Sequence, residues 1–176
     1  MPMNTANKLT ILRVVMIPAF LLVLYLNVPY ANYWALAIFA AASITDTLDG
    51  YIARHYNQIT DFGKFMDPLA DKCLVFAAML WFVEVGQMPG WALLIVCVGV
   101  FCVSGLRMVA ADKGRVIAAG WSGKVKTAAT MVCVILMLLP IPEIVNQICT
   151  AVIVLTTIYS GVEYFMKNAD ILAQAR

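Results

Sequence analysis

The sequence predicts an all-α integral membrane protein with six transmembrane helices, and three observations carry that prediction. Of its 176 residues, 63% are hydrophobic and 12% charged, with a mean hydropathy of +0.88. A soluble domain is about half apolar and about a quarter charged, so hydrocarbon is the expected solvent for most of this surface. Apolar segments recur at roughly 9–27, 33–53, 66–86, 91–111, 120–140 and 146–166, each close to the ~20 residues a helix needs to cross a bilayer core. With six spans, one side holds Lys8, Arg13, Arg54, Lys64, Lys72, Arg107, Lys113, Arg115, Lys124, Lys126, Lys167 and Arg176, which are all twelve basic residues. The opposite connections, about 28–32, 86–90 and 140–145, hold none. A bias this complete puts both termini in the cytoplasm of a multi-pass protein of the cell membrane.

Taken in order, each span has its own start and stop. The first follows Lys8 and carries Arg13, as a signal peptide does, but no small-residue cleavage site follows it. Asn27–Val28–Pro29 reads instead as the turn into the second span. The second span begins beside Trp34 and runs into a polar connection from His55 to Phe62, after which Gly63 opens the third. Gly86 to Gly90, with Pro89, separates the third span from the fourth, and Pro140 and Pro142 separate the fifth from the sixth. Trp34, Trp91 and Trp121 fall near span ends, where amphipathic rings favour the interface. There is no low-complexity stretch or linker, so residues 1–176 are expected to form a single membrane domain.

Composition also excludes function classes. A net charge of +2 is too small to argue for nucleic acid. Cys73, Cys97, Cys102, Cys133 and Cys149 lie in or beside apolar runs, with no CxxC pair, and read as small buried hydrophobes. His55 reads as a solvated loop residue, and Glu163, near the end of the sixth span, as the partner of a basic neighbour.

Carboxylates are the exception to this apolar pattern. Asp46 and Asp49 are spaced i,i+3 near the cytoplasmic end of the second span, and Asp67 and Asp71 are spaced i,i+4 in the third. Each pair shares a helical face, and the short connection makes the two helices antiparallel neighbours. The four groups can therefore converge at cytoplasmic interface depth. Converging carboxylates repel, severely so at low dielectric, and need positive charge. Oxygen donors without histidine or thiolate suit hard divalent cations, here magnesium or manganese. Two such ions would clamp a diphosphate for displacement at phosphorus. Gly50, Ala53 and Gly63 let a bulky ligand approach the helix backbone, and Arg54 can fork onto phosphate oxygens. Spacing does not choose between Asp67 and Asp71 as a proton acceptor.

The run Asp46-Thr-Leu-Asp49-Gly50-Tyr-Ile-Ala53-Arg54, eight residues, then Gly63-Lys-Phe-Met-Asp67-Pro-Leu-Ala-Asp71 resembles the CDP-alcohol phosphotransferase signature at every fixed position. The resemblance implies that family's fold: six transmembrane helices, a homodimer, and a two-metal site on the second and third helices. It implies Asp46, Asp49, Asp67 and Asp71 as metal ligands and Asp71 as general base. Gly50, Ala53, Arg54 and Gly63 would line the cytidine diphosphate of a CDP-diacylglycerol donor.

Further matches resemble phosphatidylglycerophosphate synthases: Asn7-Lys-Leu-Thr10-Ile-Leu-Arg13, Ser104-Gly-Leu-Arg107, Gly123-Lys124-Val-Lys126-Thr127 and Ser160-Gly-Val-Glu163-Tyr164-Phe165. This resemblance covers nearly the whole chain. It implies Asn7 and Thr10 as further CDP-lipid contacts, glycerol 3-phosphate as acceptor, and Arg107 and Lys124 as ligands of its phosphate. A cytoplasmic basic cluster of Arg107, Lys124 and Lys126 is also the expected physics for a phosphorylated, water-soluble acceptor, and adds Lys126 to those ligands. One departure stands out. Where these synthases carry Arg-Glu, eight residues before the matching arginine, this chain has Gly99 and Val100. The missing arginine would have been an acceptor-phosphate ligand. Alternatives are therefore another acceptor (inositol phosphate, serine or phosphatidylglycerol) or a homologue that binds CDP-lipid with impaired turnover. A transporter with an ion pathway would place ionisable groups near the midplane, not at one membrane edge.

Overall fold

The computed structural model describes residues 5–26, 28–55, 61–112, 114–115, 117 and 120–170, with the side chains of 5–8 and 46–68 outside the described set. Among the described residues the protein is all α, with no strand. Six helices follow in order: α1 (Thr5–Tyr25), α2 (Ala31–His55), α3 (Asp61–Glu84), α4 (Gly90–Asp112), α5 (Trp121–Met137) and α6 (Glu143–Lys167).

The helix ends depart from the apolar segments for local reasons. α3 begins at Asp61, five residues before its apolar run; hydropathy misses this polar first turn, where an aspartate suits the helix N-terminus. α5 stops at Met137 because Pro140 offers no N–H and restricts the residue before it. α6 starts directly after Pro142, with Glu143 in its first turn and Lys167 in its last, both favourable to the helix dipole. At the end of α3, Gly86 takes φ +78°, a left-handed conformation that closes the turn onto the Val83 carbonyl.

The chain forms two compact units. The first comprises Met1–Phe82 with Leu138–Pro140, and the second Val83–Met137 with Ile141–Arg176. In the first, α1 packs along α2; Phe20 and Phe39, both fully buried, meet with ring centroids 6.2 Å apart. Tyr25 meets Trp81 of α3 edge-on at 5.2 Å. In the second unit, α6 packs against both α4 and α5. Its buried face is Asn146, Cys149, Thr150, Ile153, Val154, Thr157, Ser160 and Tyr164, the helical spacing of one stripe.

α4 and α6 are long and apolar enough to cross a membrane. Only 17% of the apolar window of α4 is buried, so it is not the core helix of a soluble protein. Leu94, Val98 and Phe101 face outward, as lipid-facing side chains do. Shorter apolar helical stretches run through Leu9–Tyr25 and Ala31–Thr45.

Candidate active site

Both halves of the carboxylate motif lie on helix. Asp46, Asp49, Gly50, Ala53 and Arg54 occupy the last three turns of α2, and Gly63, Asp67 and Asp71 the first three of α3. Their spacings are therefore genuine helical spacings, and each aspartate pair occupies one helical face. Except for Asp71, which is half-buried and engaged by a neighbour, the side chains of these residues lie outside the described set, as does that of Asn7.

Register nonetheless brings α1 to this end of α2. The Phe20–Phe39 contact fixes the antiparallel pairing. Seven residues back from Phe20 is Arg13, and seven residues on from Phe39 is Asp46. One turn further lie Thr10 and Asp49 at matching heights. Thr10 is 1% exposed and Arg13 0%, so α1 supplies a buried hydroxyl and a buried guanidinium at the level of positions 46 and 49 on the α2 backbone. A buried cation demands an anion close by. Sequence reasoning placed Arg13 among the cytoplasmic positive charges and at the end of the Asn7–Arg13 match, and neither signal distinguishes a buried arginine from an exposed one.

Basic residues of the second unit gather at one end of α6. Arg107, exposed near the end of α4, donates from Nε to the Tyr164 hydroxyl at 3.0 Å, and its guanidinium carbon lies 5.4 Å from the ring centroid. One turn back on α6, Ser160 faces Gly123 of α5, where an added Cβ would stand 3.8 Å from the serine Oγ. Lys124 follows Gly123 directly and is exposed, while Lys126 is half-buried and engaged. Thus α6 holds Arg107 through Tyr164 and packs beside the Gly123–Lys124 segment at Ser160. Glu163 pairs with Lys167, as its sequence context suggested.

Position 99 now has a structural reason. A Cβ on Gly99 would lie 2.6 Å from Thr157 Cγ2, so α4 and α6 touch backbone to side chain there. A side chain at this position, arginine included, would have to displace Thr157 or shift the helices.

A CDP-alcohol phosphatidyltransferase family model matches residues 3–159. The CDP-diacylglycerol–glycerol-3-phosphate 3-phosphatidyltransferase of Bacillus subtilis (strain 168) is 38% identical over 187 aligned residues, covering 96% of this chain and 97% of that protein. A protein of the same name from Escherichia coli (strain K12) is 41% identical over 138 residues, 75% of each. The chain belongs to the CDP-alcohol phosphatidyltransferase family. Members of this family use divalent metal ions, and the donor set fits. Four carboxylates at i,i+3 and i,i+4 on consecutive helices, without a thiolate or imidazole in the motif, are the hard oxygen donors such ions take.

Proposed function

We propose that the chain transfers the phosphatidyl group of CDP-diacylglycerol to glycerol 3-phosphate, releasing CMP and phosphatidylglycerophosphate for phospholipid biosynthesis. The observation that carries this reading is the complete eight-position motif from Asp46 to Asp71 on α2 and α3. The names of the two relatives supply the acceptor.

On this reading Asp46, Asp49, Asp67 and Asp71 hold two divalent ions, magnesium or manganese, whose charge offsets that of the diphosphate. Asn7, Thr10, Gly50, Ala53, Arg54 and Gly63 hold the CDP-lipid, the small residues admitting the nucleotide to the helix backbone. Asp71 takes the proton of the acceptor hydroxyl, whose oxygen attacks the lipid-side phosphorus as the bond to CMP breaks. Arg54 stabilises the charge that develops on the departing phosphate. Arg107, Lys124 and Lys126 hold the acceptor's own phosphate.

The working protein is a homodimer of single-domain subunits with six transmembrane helices in the cell membrane. Both termini and the active site face the cytoplasm, among membrane lipids.

Purified protein given CDP-diacylglycerol, magnesium or manganese, and a panel of acceptors should release CMP with glycerol 3-phosphate alone. CMP release with inositol phosphate, serine or phosphatidylglycerol instead would reassign the acceptor. CDP-lipid binding without turnover would make the chain a binding homologue.

A further inference from the structure

Two contacts define the seam between α4 and α6. At the first, Gly99 faces Thr157 so closely that a Cβ would stand 2.6 Å from its methyl carbon. Thr157 is 3% exposed and β-branched, so its methyl has few rotamers and little room by which to give way. About two turns further along both helices, the Arg107 guanidinium meets Tyr164 by a 3.0 Å hydrogen bond, with its central carbon 5.4 Å from the ring centroid. Because Gly99 pairs with Thr157 and Arg107 with Tyr164, the two helices run parallel. One crossing therefore sets both contacts.

The two sides of the second contact differ in freedom. Tyr164 is 8% exposed and packs with Leu106 and Ala110, with Val103, Ile117 and Phe165 around them. Its hydroxyl is thus a point fixed by the core. Arg107 is exposed, and an exposed arginine is otherwise free to sample many rotamers. The hydrogen bond from Nε uses one of the five guanidinium N–H donors. The two terminal amino groups keep the other four, in the planar fork that matches phosphate oxygens.

We propose that Tyr164 is a positioning residue for the acceptor: it orients the Arg107 guanidinium toward the acceptor's phosphate, and the Gly99–Thr157 contact sets the helix approach that brings its hydroxyl within reach. This rests on the proposed role of Arg107 as an acceptor-phosphate ligand. Gly99 thereby contributes to the acceptor site through the backbone, without presenting a side chain to the ligand.

Steady-state CMP release by the purified full-length protein, with each substrate varied in turn, separates positioning from structural support. Tyr164→Phe keeps the ring and its packing and removes only the hydroxyl. It should raise the KM for glycerol 3-phosphate about tenfold, the loss of one charge-assisted hydrogen bond, with kcat and the KM for CDP-diacylglycerol within about twofold. Gly99→Ala should raise the same KM, and Thr157→Ser in that background, which removes the methyl, should bring it back. A parallel rise in both KM values in Tyr164→Phe, or no rise in either, would overturn the proposal. Arg107→Gln separates this failure from a failure of the underlying reading. If it raises the glycerol 3-phosphate KM while Tyr164→Phe does not, only the positioning role is lost. If Arg107→Gln leaves that KM unchanged, the ligand role of Arg107 falls and the proposal falls with it.

Discussion

The two units encode their chemistry in different ways. In the first, the residues assigned to the donor sit on consecutive helices within 26 positions, Asp46 to Asp71, at spacings that helical geometry turns directly into shared faces. In the second, the residues assigned to the acceptor come from α4 and α5, both packed against α6; Arg107 meets Tyr164 across a sequence separation of 57. A local motif can be read by counting. A pocket assembled by helix crossing depends on distances that counting does not supply. The contrast predicts that substitutions in the first unit abolish turnover or folding, whereas those in the second change acceptor affinity or helix packing.

The largest effect belongs to the first unit. Asp71→Asn keeps the size of the side chain and removes its basicity, and it should lower CMP release at saturating metal by about 10²–10⁴-fold. Full activity in that variant would mean another group takes the proton. Next is the buried guanidinium of α1. Arg13 is fully buried, and removing one partner of a buried ion pair costs about 3–5 kcal/mol. A thermal melt of the purified Arg13→Gln variant should show a large fall in Tm, accompanied by loss of CDP-lipid binding. A normal melt would mean Arg13 compensates no anion.

How much of this was legible in the sequence follows from the physics of each signal. Hydropathy located all six helices in order, because the apolar runs that favour lipid are the helices themselves. It misplaced ends where the helix leaves the apolar stretch: α3 continues back through Lys64 and Gly63 to Asp61, and α5 gives way three residues before Pro140. The aspartates and their faces could be read because helix periodicity alone relates them. The burial of Arg13 could not, since a positive charge near a cytoplasmic span end satisfies the topology rule equally well whether exposed or enclosed. Gly99 was visible only as a departure from a family pattern. Its meaning is a lack of clearance, since a Cβ there would stand 2.6 Å from Thr157 Cγ2, and that depends on how α4 and α6 cross.

That lack of clearance makes the third prediction, of intermediate size. Gly99→Arg would install the residue that the resemblance to phosphatidylglycerophosphate synthases anticipates at this position, and a purely chemical reading expects it to improve acceptor binding. The packing argues the opposite. Overfilling a close helix contact costs about 1–3 kcal/mol, and separating α4 from α6 also withdraws the Tyr164 hydroxyl from Arg107. The variant should melt lower and show a higher glycerol 3-phosphate KM. A gain in affinity at unchanged stability would show that the seam yields and that position 99 remains a ligand position.

The smallest effect tests whether charge in the second unit matters wherever it occurs. Arg115, just beyond α4, pairs with Asp170, just beyond α6. The pair links the same two helices as Arg107 and Tyr164, but both side chains are 51% exposed. Water and salt screen such a pair, and fixing two flexible side chains offsets most of the attraction. Asp170→Asn should therefore change stability by about 0–1 kcal/mol and leave the KM for both substrates where it was. A drop in acceptor affinity in this variant would mean the α4–α6 seam is held from its exposed end as well as from Gly99. The orientation of Arg107 would then depend on a salt-sensitive contact, and raising the ionic strength of the wild-type assay should reproduce the same loss.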